Sequence, residues 1–182
     1  ERLVVRVNDE STPWFEDDLA VLRAHAARAV MLPKAERVAS VARVVAACPG
    51  CVLLPLIESA RGVLAAEAIA ASPGVQRLVF GTIDYALDMD LQGELAGTVG
   101  LDAAASRLAM ASRAADIGAP VAGVTVAIDD EAQLRADLTH ARAHGFAAAN
   151  VSQSLTFPPA MPVLNQRTRC AEEPCVKESG TA

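Results

Sequence analysis

A parallel α/β fold follows from three features of this 182-residue sequence. Short apolar runs alternate with longer amphipathic ones along most of the chain, the signature of strand–helix units joined by right-handed crossovers. The short runs are apolar throughout instead of alternating with polar residues, as strands covered on both faces are. Hydrophobic residues make up 52% of the chain and charged residues 21%, enough to build one domain with a sizeable core.

Taken in order, the strand candidates are Leu3–Asn8, Ala29–Pro33, Val52–Ile57, Arg77–Gly81, Val121–Ile128 and, more weakly patterned, Ala147–Val151. Helix patterns fill the intervals. Asp17 to Arg28 carries Leu19, Leu22, Ala26 and Ala27 on one side, and Glu36 to Ala47 carries Val38, Val41, Val44 and Val45. Ser59 to Ala71 and Leu101 to Ile117 are rich in alanine and other good helix formers. Asp129 or Asp130 is placed to cap a helix in which Leu134, Leu138 and Ala141 share a face. Tyr85 to Gly100, YALDMDLQGELAGTVG, is polar and glycine-bearing and reads as a long loop, a usual place for function after a strand. From Ser152 the composition turns to Pro and polar residues without a period. The expected organisation is a domain over residues 1–151 and an irregular tail over 152–182, disordered beyond Asn165.

The charge balance bounds the partners. A net charge of -6 argues against a general nucleic-acid binder, which needs a basic surface. Aromatic residues, 3% of the chain, are too few for base-stacking platforms. No apolar run approaches the roughly 20 residues of a membrane span, and no secretory signal opens the sequence. Cys48-Pro-Gly-Cys51 has redox-motif spacing, but Cys170 and Cys175 form no second such pair and no His clusters with them in sequence. Two small apolar residues beside a turn is the simpler reading, and a reducing cytoplasm fits this cysteine usage.

The chemistry-bearing residues sit where strands end. Arg6 closes the first strand, Lys34 follows the second, Glu58 the third, and Asp84 follows Gly81 at the end of the fourth. In a parallel α/β protein all strand C-termini open on one rim, where ligands bind. Taken singly, each of these is more often a solvated residue; together they bring two carboxylates and two cations to one place. Hard oxygen donors without clustered His or Cys suit Mg²⁺ or Mn²⁺. The Arg6 fork suits a carboxylate or enolate oxygen. A divalent ion beside an Arg can stabilise the enolate left when a carbon–carbon bond breaks. His25, His140 and His144 lie on helix patterns and read as surface residues, and Asp129-Asp130 as a helix cap.

Five segments, VRVN, VMLPKAE, LLPLIESARGV, LVFGTIDYALDM and APVAGVT, resemble in order and spacing the citrate lyase beta-subunit-like family of CoA-ester lyases, within the HpcH/HpaI aldolase superfamily. The resemblance covers roughly Arg2 to Phe146. It implies a TIM-type (β/α)₈ barrel, bound Mg²⁺, and cleavage of a 3-hydroxyacyl-CoA such as citryl-CoA, malyl-CoA or citramalyl-CoA into an acyl-CoA and a 2-oxo acid. It implies Glu58 and Asp84 as metal ligands, Arg6 as the catalytic contact to the oxygens of the 2-oxo acid, Lys34 beside it in substrate binding, and a homo-oligomer. Two strand–helix units that the family carries before its Arg-Val-Asn strand have no counterpart here, so a partial barrel is expected. The sequence also diverges after Gly145-Phe146, and Ala122 stands where many members carry Asp. An inactive remnant serving as an interaction module, and an aldolase acting on free 2-oxo acids, are the alternative readings.

Overall fold

Among the described residues, seven parallel strands, adjacent in chain order, form the sheet of the computed structural model: β1 (Val5–Arg6), β2 (Ala29–Leu32), β3 (Val52–Ile57), β4 (Val79–Phe80), β5 (Val121–Ala122), β6 (Ala148–Val151) and β7 (Val163–Asn165). The structure describes residues 3–25, 27–92, 96–125, 130–151 and 163–165. Helices α1 (Phe15–Ala24), α2 (Val38–Ala47) and α3 (Ala60–Ala70) make the first three crossovers; α4 (Thr82–Asp88) with α5 (Ala96–Ala114) makes the fourth, and α6 (Glu131–Ala143) the fifth.

Register sorts the strand residues onto two faces. Arg6 pairs with Met31 and Met31 with Leu54; Leu56 pairs with Val79, Val79 with Val121, and Val121 with Ala148. Paired residues of parallel strands share a face. Met31, Leu54, Leu56, Val79, Val121 and Ala148 accordingly form one apolar cluster, to which no helix contributes a buried residue among the described residues. On the other face Val30, Leu32, Leu53, Ile57, Leu78 and Phe80 pack against buried residues of α1, α2, α3 and α5, among them Leu19, Val44, Ile69 and Leu108. Strands in chain order with helices on a single face are the wall of a (β/α) barrel. The expected parallel α/β architecture and partial barrel are both present.

Several elements differ from the sequence reading. β1 and β4 are two-residue strands within longer apolar runs, and β5 is the two-residue start of another; residues 126–128, the end of the run expected to form the fifth strand, lie outside the described residues. The stretch expected as a loop from Tyr85 is largely helical. Tyr85 is buried with its ring edge-on to Phe80 at 5.4 Å between centroids, which anchors α4 onto the strand that precedes it. α5 then begins at Ala96. In α2 the inward face is Ser40, Val41, Val44 and Ala47, and Val38 is exposed. β7 lies within the stretch expected to be irregular and pairs with β6, so the sheet continues past residue 151; the rest of that stretch is outside the described residues. Asp130 caps α6, its carboxylate accepting from the Gln133 N–H at 2.9 Å. No helix of the described residues is long and apolar enough to cross a membrane.

Candidate functional site

Glu58 is the residue around which the rim is built. It follows β3 directly, and Gly81 packs against it after β4. Its side chain is 5% exposed, unusual for a carboxylate, whose burial is costly without a partner. One partner is the backbone N–H of Lys34, which donates to Oε1 at 2.8 Å. Lys34 adopts a left-handed conformation, φ 44°, which is uncommon outside glycine; the turn after β2 thus aims a main-chain donor at the next strand's carboxylate.

That single hydrogen bond does not offset the burial. Desolvation pushes the Glu58 carboxyl above the ordinary range; the Lys34 N–H opposes it, the negative charge of Asp84 pushes the same way as burial, and the charges of Arg6 and Lys34 oppose. The other three residues of the expected constellation, Arg6, Lys34 and Asp84, are therefore each within electrostatic reach of Glu58. Arg6 shares its sheet face with Met31 and Leu54 by register, and Asp84 sits in the first turn of α4. Arg6, Lys34 and Asp84 are exposed where Glu58 is buried, so a small ligand can reach these three charges while the Glu58 carboxylate lies beneath. A buried carboxylate beside a second carboxylate, both held from the ends of parallel strands, is a donor set that fits a hard divalent cation.

Gly81 has a steric reason. A Cβ there would lie 2.6 Å from Glu58 Cβ and 2.9 Å from Glu58 Oε2. Only a residue without a side chain lets β4 end against β3 at this level. Gly81→Ala is expected to cost roughly 1–3 kcal/mol by overpacking and to displace the Glu58 carboxylate; denaturant unfolding with and without Mg²⁺ measures both effects. The neighbouring Gly123 is similarly close to the Thr82 side chain.

The support around Glu58 continues into α3. Ser59 caps that helix, accepting from the Gly62 N–H at 3.1 Å while its hydroxyl donates to Glu36 at 2.6 Å. Asp88 of α4 accepts from the Ala60 N–H at 2.7 Å. Polar contacts thus join the ends of β2, β3 and β4.

Asp9 is a rim residue that the sequence reading did not single out. Its carboxylate lies 3.9 Å from Lys34 Nζ. Partial burial pushes its carboxyl up, but hydrogen bonds from Ser11 and the charges of Lys34 and Arg6 prevail and hold it below the ordinary range. The available signal was its position, three residues beyond Arg6 on the loop after β1.

Two other sequence features lie away from the rim. Cys48 and Cys51 are both buried and free. Burial and the adjacent Cys48 push the Cys51 thiol up to about 12, which makes it an inert thiol and not a redox nucleophile. A depression of about 730 Å³ beside them, lined by Leu22, His25, Ala47, Cys48, Pro49 and Cys51 among others, lies where α1 and α2 end and β2 and β3 begin. That is the end of the sheet opposite the rim. His140 and His144, expected as surface residues, meet at Asp102.

Comparisons with known proteins place the chain in a family. Residues 1–154 match the family model for HpcH/HpaI aldolase/citrate lyase. A (3S)-malyl-CoA thioesterase of Cereibacter sphaeroides is 34% identical over 143 residues, covering 79% of this chain and 50% of the relative. A citrate lyase subunit beta-like protein of Deinococcus radiodurans is 37% identical over 147 residues, covering 78% of this chain and 50% of the relative. The citrate lyase beta subunit of Mycobacterium tuberculosis, in complex with oxaloacetate and magnesium, superimposes with a TM-score of 0.69 at 28% identity, over 81% of this chain and 66% of that one. The chain spans about half the length of the curated relatives it matches.

Proposed function

The chain belongs to the HpcH/HpaI aldolase/citrate lyase family, and from that premise we propose that it carries the metal and 2-oxo-acid subsite of a Mg²⁺-dependent lyase acting on a 3-hydroxyacyl-CoA. The observation that carries this reading is the buried Glu58 with Asp84 and Arg6 in electrostatic reach. Glu58 and Asp84 would hold Mg²⁺, with Mn²⁺ as a substitute; the ion, when bound, supplies Lewis-acid polarisation of a substrate oxygen. Arg6 binds the carboxylate of the 2-oxo acid portion through its planar fork and stabilises negative charge as it develops. Lys34 contributes a second positive charge at the same rim.

In the cleavage direction, the bond between the hydroxyl-bearing carbon and the carbon next to the thioester breaks. The hydroxyl proton leaves, a carbonyl forms, and the electron pair remains on the acyl-CoA carbon as an enolate that is then protonated. Products are an acyl-CoA and a 2-oxo acid. Assembly as a homo-oligomer and a cytoplasmic setting belong to the same reading; Leu64, Leu87, Val99 and Met110 supply exposed apolar surface for a second copy.

The relationship to a malyl-CoA thioesterase favours one competing reaction, hydrolysis of the thioester. Product analysis separates the two. With malyl-CoA and Mg²⁺, the protein is expected to release glyoxylate and acetyl-CoA. Malate with free CoA, and no glyoxylate, would assign hydrolysis. Pyruvate plus an aldehyde tests turnover of free 2-oxo acids without CoA.

A further inference from the structure

On the helical layer, Asp102, His140 and His144 bring three donor atoms within 4.8 Å of one another. His140 Nε2 is 2.6 Å and His144 Nε2 3.3 Å from Asp102 Oδ1, and the two imidazole rings are 4.8 Å apart, edge to face. We propose that this trio is a binding site for a transition-metal cation of the Zn²⁺ class, linking α5 to the C-terminal end of α6.

The arrangement is two facing pairs, each four residues apart. His140 and His144 occupy one side of the last turn of α6 and its cap; Asp102 and Ser106 occupy one side of the first half of α5. Residues at i and i+4 are neighbours on a helix surface, and a His pair at that spacing presents two nitrogens to one ion. Imidazole with one carboxylate suits Zn²⁺, Co²⁺ or Ni²⁺ and not Mg²⁺.

Ser106 supplies the supporting shell. Its hydroxyl lies 3.1 Å from His144 Nδ1. When the hydroxyl accepts a hydrogen bond from Nδ1–H, the Nε2 lone pair is left facing Asp102, so two acceptors meet and a cation between them is favoured. The trio is partly sheltered: the side chains of His144 and Asp102 are 20% and 34% exposed and that of His140 54%. His140 is thus free to adjust toward the roughly 2.0–2.2 Å that Zn²⁺ requires of N and O donors, with water completing the shell. The start of α6 is fixed separately by its Asp130 cap, and its middle by the Thr125 hydroxyl donating to Asp137 at 2.7 Å; the ion would secure the C-terminal end.

The test uses the full chain with excess Mg²⁺ present, so that the Glu58–Asp84 rim is not the site read. Zn²⁺ is titrated calorimetrically and by thermal melting, and Co²⁺ by its visible spectrum. One equivalent of Zn²⁺ is expected to bind. At a hundredfold excess over Kd it should raise Tm by roughly 5–10 °C. Co²⁺ should show bands of nitrogen and oxygen ligation. His140→Asn with His144→Asn should abolish both signals while melting like the wild type in EDTA, and Ser106→Ala should weaken Zn²⁺ by roughly 10–100-fold. Zn²⁺ affinity unchanged in the double variant, a thiolate charge-transfer band from Co²⁺ at Cys48 and Cys51, or no Zn²⁺-dependent rise in Tm of the wild type would each overturn the assignment.

Discussion

Arg6→Lys is expected to lower kcat by about 10²–10³, equivalent to roughly 2.7–4 kcal/mol of lost transition-state stabilisation. The size follows from geometry and not from charge, which the substitution keeps. Arg6 lies on the inner sheet face, in register with Met31, and its charge reaches both Glu58 and Asp9. A planar guanidinium offers two parallel N–H donors to a carboxylate, while an ammonium offers a point charge on a flexible stem. Binding of the CoA portion should change little, because Arg6 is assigned to the oxo-acid end, so the loss should appear in kcat and not in the KM for the thioester. Steady-state kinetics decide it. A near-wild-type kcat would make Arg6 a structural or surface residue.

Glu58→Gln has two expected effects of opposite sign. Gln keeps an oxygen to accept the Lys34 N–H and the shape that fits against Gly81, but it removes the buried charge. Mg²⁺ affinity should fall by more than the roughly 10–100-fold typical of losing an outer-shell partner. The metal-free protein should instead become more stable. The sign follows from linkage: burial, with Asp84 adding to it, raises the Glu58 carboxyl above the ordinary range, so the folded state holds its proton more tightly than the unfolded chain. Stability is greatest below the unfolded carboxyl's range and falls as pH rises through the raised value. At neutral pH the variant should therefore melt above the metal-free wild type, and the gap should close as pH drops below about 4.5. Melting curves across pH in EDTA measure this; a variant less stable than wild type at neutral pH would show that the carboxylate is well solvated or paired.

Much of this was legible in the sequence because the two strongest signals are local. The apolar runs at 29–33 and 52–57 form β2 and β3 with little change, since both faces of those strands are covered. Placing Arg6, Lys34, Glu58 and Asp84 at successive strand ends needed only the parallel topology. What escaped depended on contacts between distant segments. α4 exists because Tyr85 packs on Phe80, which the polar composition of residues 85–100 does not reveal. The left-handed turn at Lys34 and the demand for glycine at 81 arise from Glu58, 24 and 23 residues away respectively. The meeting of His140 and His144 with Asp102 crosses 38 residues or more from α5 to α6, although the His-x-x-x-His spacing was there to be read. Val163–Asn165 carries too short a pattern to be told from the surrounding loop without its neighbour β6.

The central claim is that Glu58 and Asp84 together hold one divalent cation, and Asp84→Asn tests it from the second strand end. Titration of Mg²⁺, or of Mn²⁺ followed by its paramagnetic signal, into the wild type, Glu58→Gln, Asp84→Asn and the double variant is the direct measurement. The account predicts one ion per chain in the wild type, strong loss in each single variant with helix content unchanged, and a double variant little worse than either single one, because the two carboxylates act on the same ion. Equal affinity in the wild type and both single variants would contradict it.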